Sequence, residues 1–160
     1  MSAARTDVFS KEKRSQVMAS VRGKDTGPEL RVRRLLWREG YRYRLHARGL
    51  PGKPDLALAA RRTAVFVHGC FWHGHDCGRG ARAPKANAAY WSGKIARNRA
   101  RDARTAAELE TMGWTPVVVW ECELRDEAGL LARLKRALGQ PSCSRSAARG
   151  RPAQASSMAR

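Results

Sequence analysis

The sequence predicts an α/β protein with a mixed central sheet flanked by helices. Three observations carry this. Two short apolar runs, Leu56 to Ala60 and Ala64 to Val67, flank the polar pair Arg61-Arg62 and read as a β-hairpin. A second kind of apolar run, Thr115 to Trp120, follows a stretch of helical composition and fits a buried strand. Around these lie helical segments with caps and stops, so the order helix, three strands, helix, strand, helix gives one sheet with helices on its faces.

In chain order, residues 1 to 9 carry no pattern and are expected to be a flexible N-terminus. Ser10 caps a basic helix running to about Val21, with Val17, Met18 and Val21 on its apolar side. Met18 there suits either core packing or a groove-binding arm. Pro28 fits a first helical position and Glu29 complements the positive helix end, so Pro28 to Glu39 is a helix stopped by Gly40. Its buried side is Leu30, Leu35, Leu36 and Trp37, and its basic side Arg31, Arg33, Arg34 and Arg38. Tyr41 to Leu45 alternates like a half-buried strand. Ala88 to Met112 is a helix ended by Gly113, bearing Lys94, Arg97, Asn98, Arg99, Arg101 and Arg104. Asp126 caps a last helix through Leu138. Trp37, Trp114 and Trp120 are assigned to the core. The expected organisation is one domain over 10–138 and a disordered basic tail over 139–160, rich in Ser, Ala, Arg and Pro.

Charge narrows the function. The 160 residues carry a formal +18, and the tail's four arginines leave +14 on the remainder. A polyanion is the natural partner, since each neutralised phosphate releases a counterion. Basic stretches from Arg31 to Arg44 and from Lys94 to Arg104 would position phosphates. There is no long apolar stretch and no signal-peptide pattern, so a cytoplasmic protein with no membrane partner is expected.

The chemistry concentrates in residues 51 to 77, which hold three of the four histidines and two of the four cysteines. Cys70, His75 and Cys77 form a Cys-x4-His-x-Cys array that Cys122 could complete from the end of the buried strand. Four such donors suit a structural zinc, although His73 could stand in for His75, and free cysteines beside an exposed histidine are the plain alternative. Cys143, in the tail, is left out. Asp55 opens the first strand of the hairpin and His68 ends the second, so the fold-back brings them together. A carboxylate able to hold a divalent cation, a main-chain carbonyl near Val67 and imidazoles at His68 and His73 make up what phosphodiester hydrolysis needs. Phe71 and Trp72 beside them suit loop packing or base stacking equally.

At this point a resemblance becomes specific. Leu50-Pro51-Gly52-Lys53-Pro54-Asp55, Val65 through Cys77 with its His-Gly-Cys-Phe-Trp-His core, Tyr90-Trp91-Ser92-Gly93-Lys94-Ile95, Gly113-Trp114 and Val119-Trp120-Glu121-Cys122 closely resemble the very-short-patch-repair (Vsr) DNA mismatch endonucleases, over about Lys13 to Leu138. The resemblance implies a restriction-endonuclease-like fold of the PD-(D/E)xK type, with histidines replacing the usual second acid and lysine. It implies magnesium on Asp55 and the Val67 carbonyl, His73 as general base or acid with His68 as companion, and Glu29 supporting the hydrated centre. Cys70, His75, Cys77 and Cys122 become structural zinc ligands. Phe71, Trp72 and Trp91 become wedges beside the mismatch, with Met18 entering from the opposite groove and Lys94 and Arg97 on the DNA. The implied activity is nicking one strand next to the thymine of a T·G mismatch left by 5-methylcytosine deamination. The implied setting is a nucleoid-associated monomer that works with mismatch-repair accessory proteins. One departure is Val67, where the family's best-known members carry threonine. Two rivals are a restriction-like nuclease without mismatch specificity and a non-catalytic zinc-containing DNA-binding module.

Overall fold

The computed structural model describes residues 24–82 and 87–141. The basic helix expected over Ser10 to Val21, with Met18, lies outside them, as does nearly all of the 139–160 segment. Among the described residues the order is α1 (Gly27–Arg38), β1 (Arg44–Leu45), β2 (Leu56–Leu58), β3 (Thr63–His68), α2 (Ala88–Thr111), β4 (Thr115–Trp120) and α3 (Glu127–Leu138). The sheet runs β1-β2-β3-β4. The first two pairings are antiparallel and β3–β4 is parallel, so the expected mixed sheet is present.

Alternation along the central strands divides the molecule. Val65, Val117 and Val119 pack with Leu56 and Leu58 against Val32, Leu35 and Leu36 of α1 and Leu130, Leu134 and Leu138 of α3. Each of these side chains is buried, and at about 25 cal/mol per Å² of apolar surface they supply most of the fold's cohesion. The intervening positions, Phe66 and His68 of β3 and Pro116 and Val118 of β4, look the other way. They form, with Thr105 and Ala106 of α2, the floor and wall of a cleft. One sheet face therefore holds the core and the other the polar chemistry.

Several expectations change in detail. The turn between β2 and β3 is longer than the hairpin reading implies, because Ala59–Arg61 forms a 3-10 turn and Arg62 is left-handed at φ 48°. The first strand therefore stops at Leu58 and the second starts at Thr63. The strand expected over Tyr41 to Leu45 shrinks to two residues. Tyr41 turns into the core, with its hydroxyl donating to the Gly139 carbonyl at 2.6 Å, and Tyr43 donates to the Arg33 carbonyl at 2.9 Å.

The faces of α1 are also redrawn. Trp37 is 54% exposed and Leu30 40% exposed, whereas Arg33 is buried. The cause is the helix start. The Thr26 hydroxyl caps the Glu29 N–H, and the Glu29 carboxylate accepts from the Asp25 N–H at 2.9 Å. That carboxylate, held inward, pairs with Arg33 at 3.2 Å, and Asp25 adds a second contact. Two acids make burial of the guanidinium tolerable. Trp37 instead lies on the surface with the Arg42 guanidinium 4.0 Å from its ring centre. Trp114 and Trp120 are half-buried, and Trp120 lies against histidine rings rather than in the aliphatic core.

Removing one partner of the buried pair strands the other's charge. Arg33→Met should lower stability by about 3 kcal/mol or more in urea unfolding; a change under about 0.5 kcal/mol would show that Glu29 needs no partner.

Candidate active site and metal centre

Asp55 stands just before β2, behind the buried Pro54. Its Oδ2 accepts the Val67 N–H at 2.7 Å, which ties the mouth of β2 to the end of β3. In an extended strand a residue's N–H and C=O leave on the same side. The Val67 carbonyl therefore faces the Asp55 side as well. Burial pushes the Asp55 carboxyl above the ordinary carboxylate range, against the pull of the Val67 hydrogen bond.

His68 ends β3 and is 9% exposed. Burial, with His73 alongside, takes its pKa down to about 4, so it is neutral at pH 7. His73 arrives from the loop after β3, and its ring stacks on His68 with centroids 3.8 Å apart and planes 10° apart. Its Nδ1 lies 2.5 Å from Asp102 Oδ2, on α2. A ring held this way donates its Nδ1 proton to the carboxylate and keeps Nε2 free to accept one. The loop is pinned to α2 a second time by Asn98, whose Nδ2 donates to the Trp72 carbonyl at 2.8 Å. Gly74, at φ 62°, permits the close approach, since a Cβ there would stand 2.7 Å from Ile95.

Glu29, Asp55, Val67, His68, His73 and Asp102 all line one cleft of about 1100 Å³. Lys24, Arg48, Lys53 and Arg101 line it too, which suits an anion. Asp102 is the residue that sequence reasoning missed. It is the single acid between Gly78 and Ala107, in a run dense with arginine, and that isolation was the available signal.

Beside the cleft, the donor atoms of Cys70, His75, Cys77 and Cys122 all lie within 4.8 Å of one another. The structure groups His75 with the cysteines and His73 with His68 and Asp102. Cys122 Sγ and His75 Nδ1 are 3.5 Å apart, and all three thiols are free. Three sulfurs and an imidazole converging at this spacing fit a tetrahedral soft-metal site. The loop is folded for it: His75 N–H donates to the Cys70 carbonyl and Cys77 N–H to the His75 carbonyl, both at 2.9 Å. The chain crosses over at Gly80, where a Cβ would meet the His75 carbonyl oxygen at 1.9 Å. Trp120 joins the two centres. Its ring stacks on His75 at 4.3 Å and meets His68 edge-on at 5.4 Å.

Phe71, Trp72 and Trp91 form a mutual edge-to-face triangle with centroids 5.1 to 5.8 Å apart. Lys94 Nζ sits 5.2 Å from the Trp72 ring and 5.4 Å from the Trp91 ring. Tyr90, 51% exposed, extends the cluster toward solvent. Arg97 is exposed on the same helix. No helix among the described residues is long and apolar enough to cross a membrane.

Known proteins resemble this chain over most of its length. Residues 6–79 match the family model described as DNA mismatch endonuclease Vsr. The chain is 53% identical over 133 residues to the type II nicking enzyme V.XorIIP of Xanthomonas oryzae, covering 83% of this chain and 97% of the relative. It is 46% identical over 131 residues to the type II nicking enzyme V.NmeAIP of Neisseria meningitidis, covering 82% and 93%. It is 39% identical over 119 residues to the DNA mismatch endonuclease Vsr of Escherichia coli, covering 74% and 76%.

The raised Asp55 pKa predicts a pH-dependent stability. A carboxyl whose pKa is higher folded than unfolded adds stability below its unfolded value, here near 3.8, and loses it as pH rises through the folded value. Ionised Asp55 is therefore a cost at neutral pH. Asp55→Asn should melt above the parent chain at pH 7, with the gain shrinking toward pH 4. A variant that melts lower at pH 7 would show that the Val67 bond outweighs burial.

Proposed function

The chain belongs to the Vsr family of endonucleases, and from that premise we propose that it nicks one strand of duplex DNA beside the thymine of a T·G mismatch. The observation that carries this reading is the shared cleft: a carboxylate, Asp55, and an Asp102-held imidazole, His73, face the same basic space. Relatives named as nicking enzymes support the cutting of one strand.

Asp55 and the Val67 carbonyl would hold magnesium, with Glu29 bonding to its water shell. The main-chain donor makes valine acceptable at this position. The cation supplies Lewis-acid polarisation of the scissile phosphate. His73 takes a proton from the attacking water at Nε2, because Nδ1 is committed to Asp102. Asp102 holds the tautomer and balances the imidazolium that follows, the role a carboxylate plays behind a histidine base. His68, neutral and stacked on His73, fixes that ring in plane and can donate to the phosphate. Phe71, Trp72 and Trp91 wedge into the stack, and a mispaired step yields to them more easily than a paired one. Lys94 and Arg97 contact the backbone. Cys70, His75, Cys77 and Cys122 would hold zinc, bracing the loop that carries His73. The endonuclease domain spans 10–138, takes the restriction-endonuclease-like form and acts as a monomer.

The test is a strand-resolved cleavage assay with magnesium on T·G and C·G duplexes. Nicking confined to the T·G duplex, lost in Asp55→Ala, is the expected result; equal cutting of both duplexes would remove the mismatch specificity. His73→Ala should slow the nick by about 100- to 10,000-fold. Asp102→Asn should slow it by about 100-fold or more through the wrong tautomer. A rate within two-fold of the parent in Asp102→Asn would remove that residue from the mechanism. Elemental analysis should find one zinc per chain, and Cys122→Ser should lose it and melt lower; an unchanged melt would make the four donors a coincidence.

A further inference from the structure

The cleft holds a third imidazole that the mechanism above leaves idle. His46 lines the same space as Asp55 and His73. In the β1–β2 pairing Leu45 stands opposite Leu56, and the chain leaves the strand at the next residue, His46, as Asp55 leads into β2. His46, Asp55 and Val67 thus border the same cleft. The imidazole is near enough to act electrostatically on both Asp55 and Asp25.

Two features show that the fold does not ask for histidine here. Its backbone is left-handed, φ 46°, a conformation that costs an ordinary side chain energy and suits glycine or asparagine. Its ring also makes no hydrogen bond or ion pair among the described residues. Strained residues with unused polar groups persist where the side chain serves a ligand. The surroundings name that ligand's charge, because Lys24, Arg48, Lys53 and Arg101 line the same cleft.

We propose that His46 is a substrate-binding residue, whose ring N–H donates to a phosphate oxygen of the nicked strand next to the scissile linkage. It holds that strand at the cleft wall after β1. The assignment rests on the reading of this cleft as the nicking site, and it adds a strand contact which that reading does not contain.

Three variants separate contact from architecture. His46→Gly and His46→Asn keep the left-handed backbone but remove the reach. His46→Gln keeps an N–H donor at similar reach. Affinity for a T·G duplex, measured without divalent metal, and kcat/KM with magnesium should each fall about ten-fold or more in the Gly and Asn variants. The loss should lie in KM, and the melting temperature should not drop. The Gln variant should recover most of the affinity. Parental affinity and rate in His46→Gly and His46→Asn, a loss confined to kcat, or a Gln variant as weak as Gly would each overturn the assignment. Should the parent chain nick no duplex at all, the nicking reading fails, and the duplex affinities still decide for or against His46.

Discussion

The site depends on one hydrogen bond, from the Val67 N–H to the Asp55 carboxylate at 2.7 Å. β3 is the only described strand paired on both sides to partners of opposite sense, antiparallel to β2 and parallel to β4. Its end is therefore located from two directions before the loop begins. The bond then draws the mouth of β2 onto that end. A carboxylate on a free loop would be hydrated and mobile. Here it is partly buried and held by a backbone N–H.

The loop after β3 has no aliphatic core of its own. Its order comes from polar and aromatic contacts: Asn98 on the Trp72 carbonyl, Asp102 on His73, and the convergence of Cys70, His75 and Cys77 on Cys122. Cys122 is itself set by the exit of β4. There Glu123 accepts the Trp120 N–H at 2.8 Å, and Arg133 of α3 donates to Glu123 at 2.8 Å and to the Val118 carbonyl at 3.0 Å. The ring of Trp120, between His75 and His68, places the metal-type cluster and the imidazole pair on the two flanks of one indole. Order in one cluster thus bears on the other through packing.

Much of this was legible in the residues because local rules and the fold agree. Asp126 before an apolar helical run, Gly113 after one, and a strand over Thr115 to Trp120 each follow from a nearby cause and appear where expected, although that strand is buried only at Val117 and Val119. The faces of α1 were not legible, because hydrophobicity alone assigns Trp37 inward and Arg33 outward. The reverse arises from Asp25 and Glu29, whose inward setting depends on the Thr26 cap. Asp102 was missed for a related reason: its partner His73 lies 29 residues away, so its isolation among arginines marks it out without naming the imidazole it serves. The family likeness implied roles for Asp55 and His73. The coordinates add the carboxylate behind His73, and they leave His46 on the cleft with no hydrogen bond or ion pair among the described residues.

The central claim is that a cation held at Asp55 touches one phosphate of the nicked strand while His73 works on the same linkage. Stereopure phosphorothioate duplexes, with sulfur in place of one non-bridging oxygen at that linkage, test it directly. The account predicts that one diastereomer is nicked far more slowly in magnesium and recovers in manganese, which accepts sulfur more readily. Equal rates for both diastereomers in both metals would mean that no cation at Asp55 contacts the scissile phosphate, and the proposed chemistry would fail.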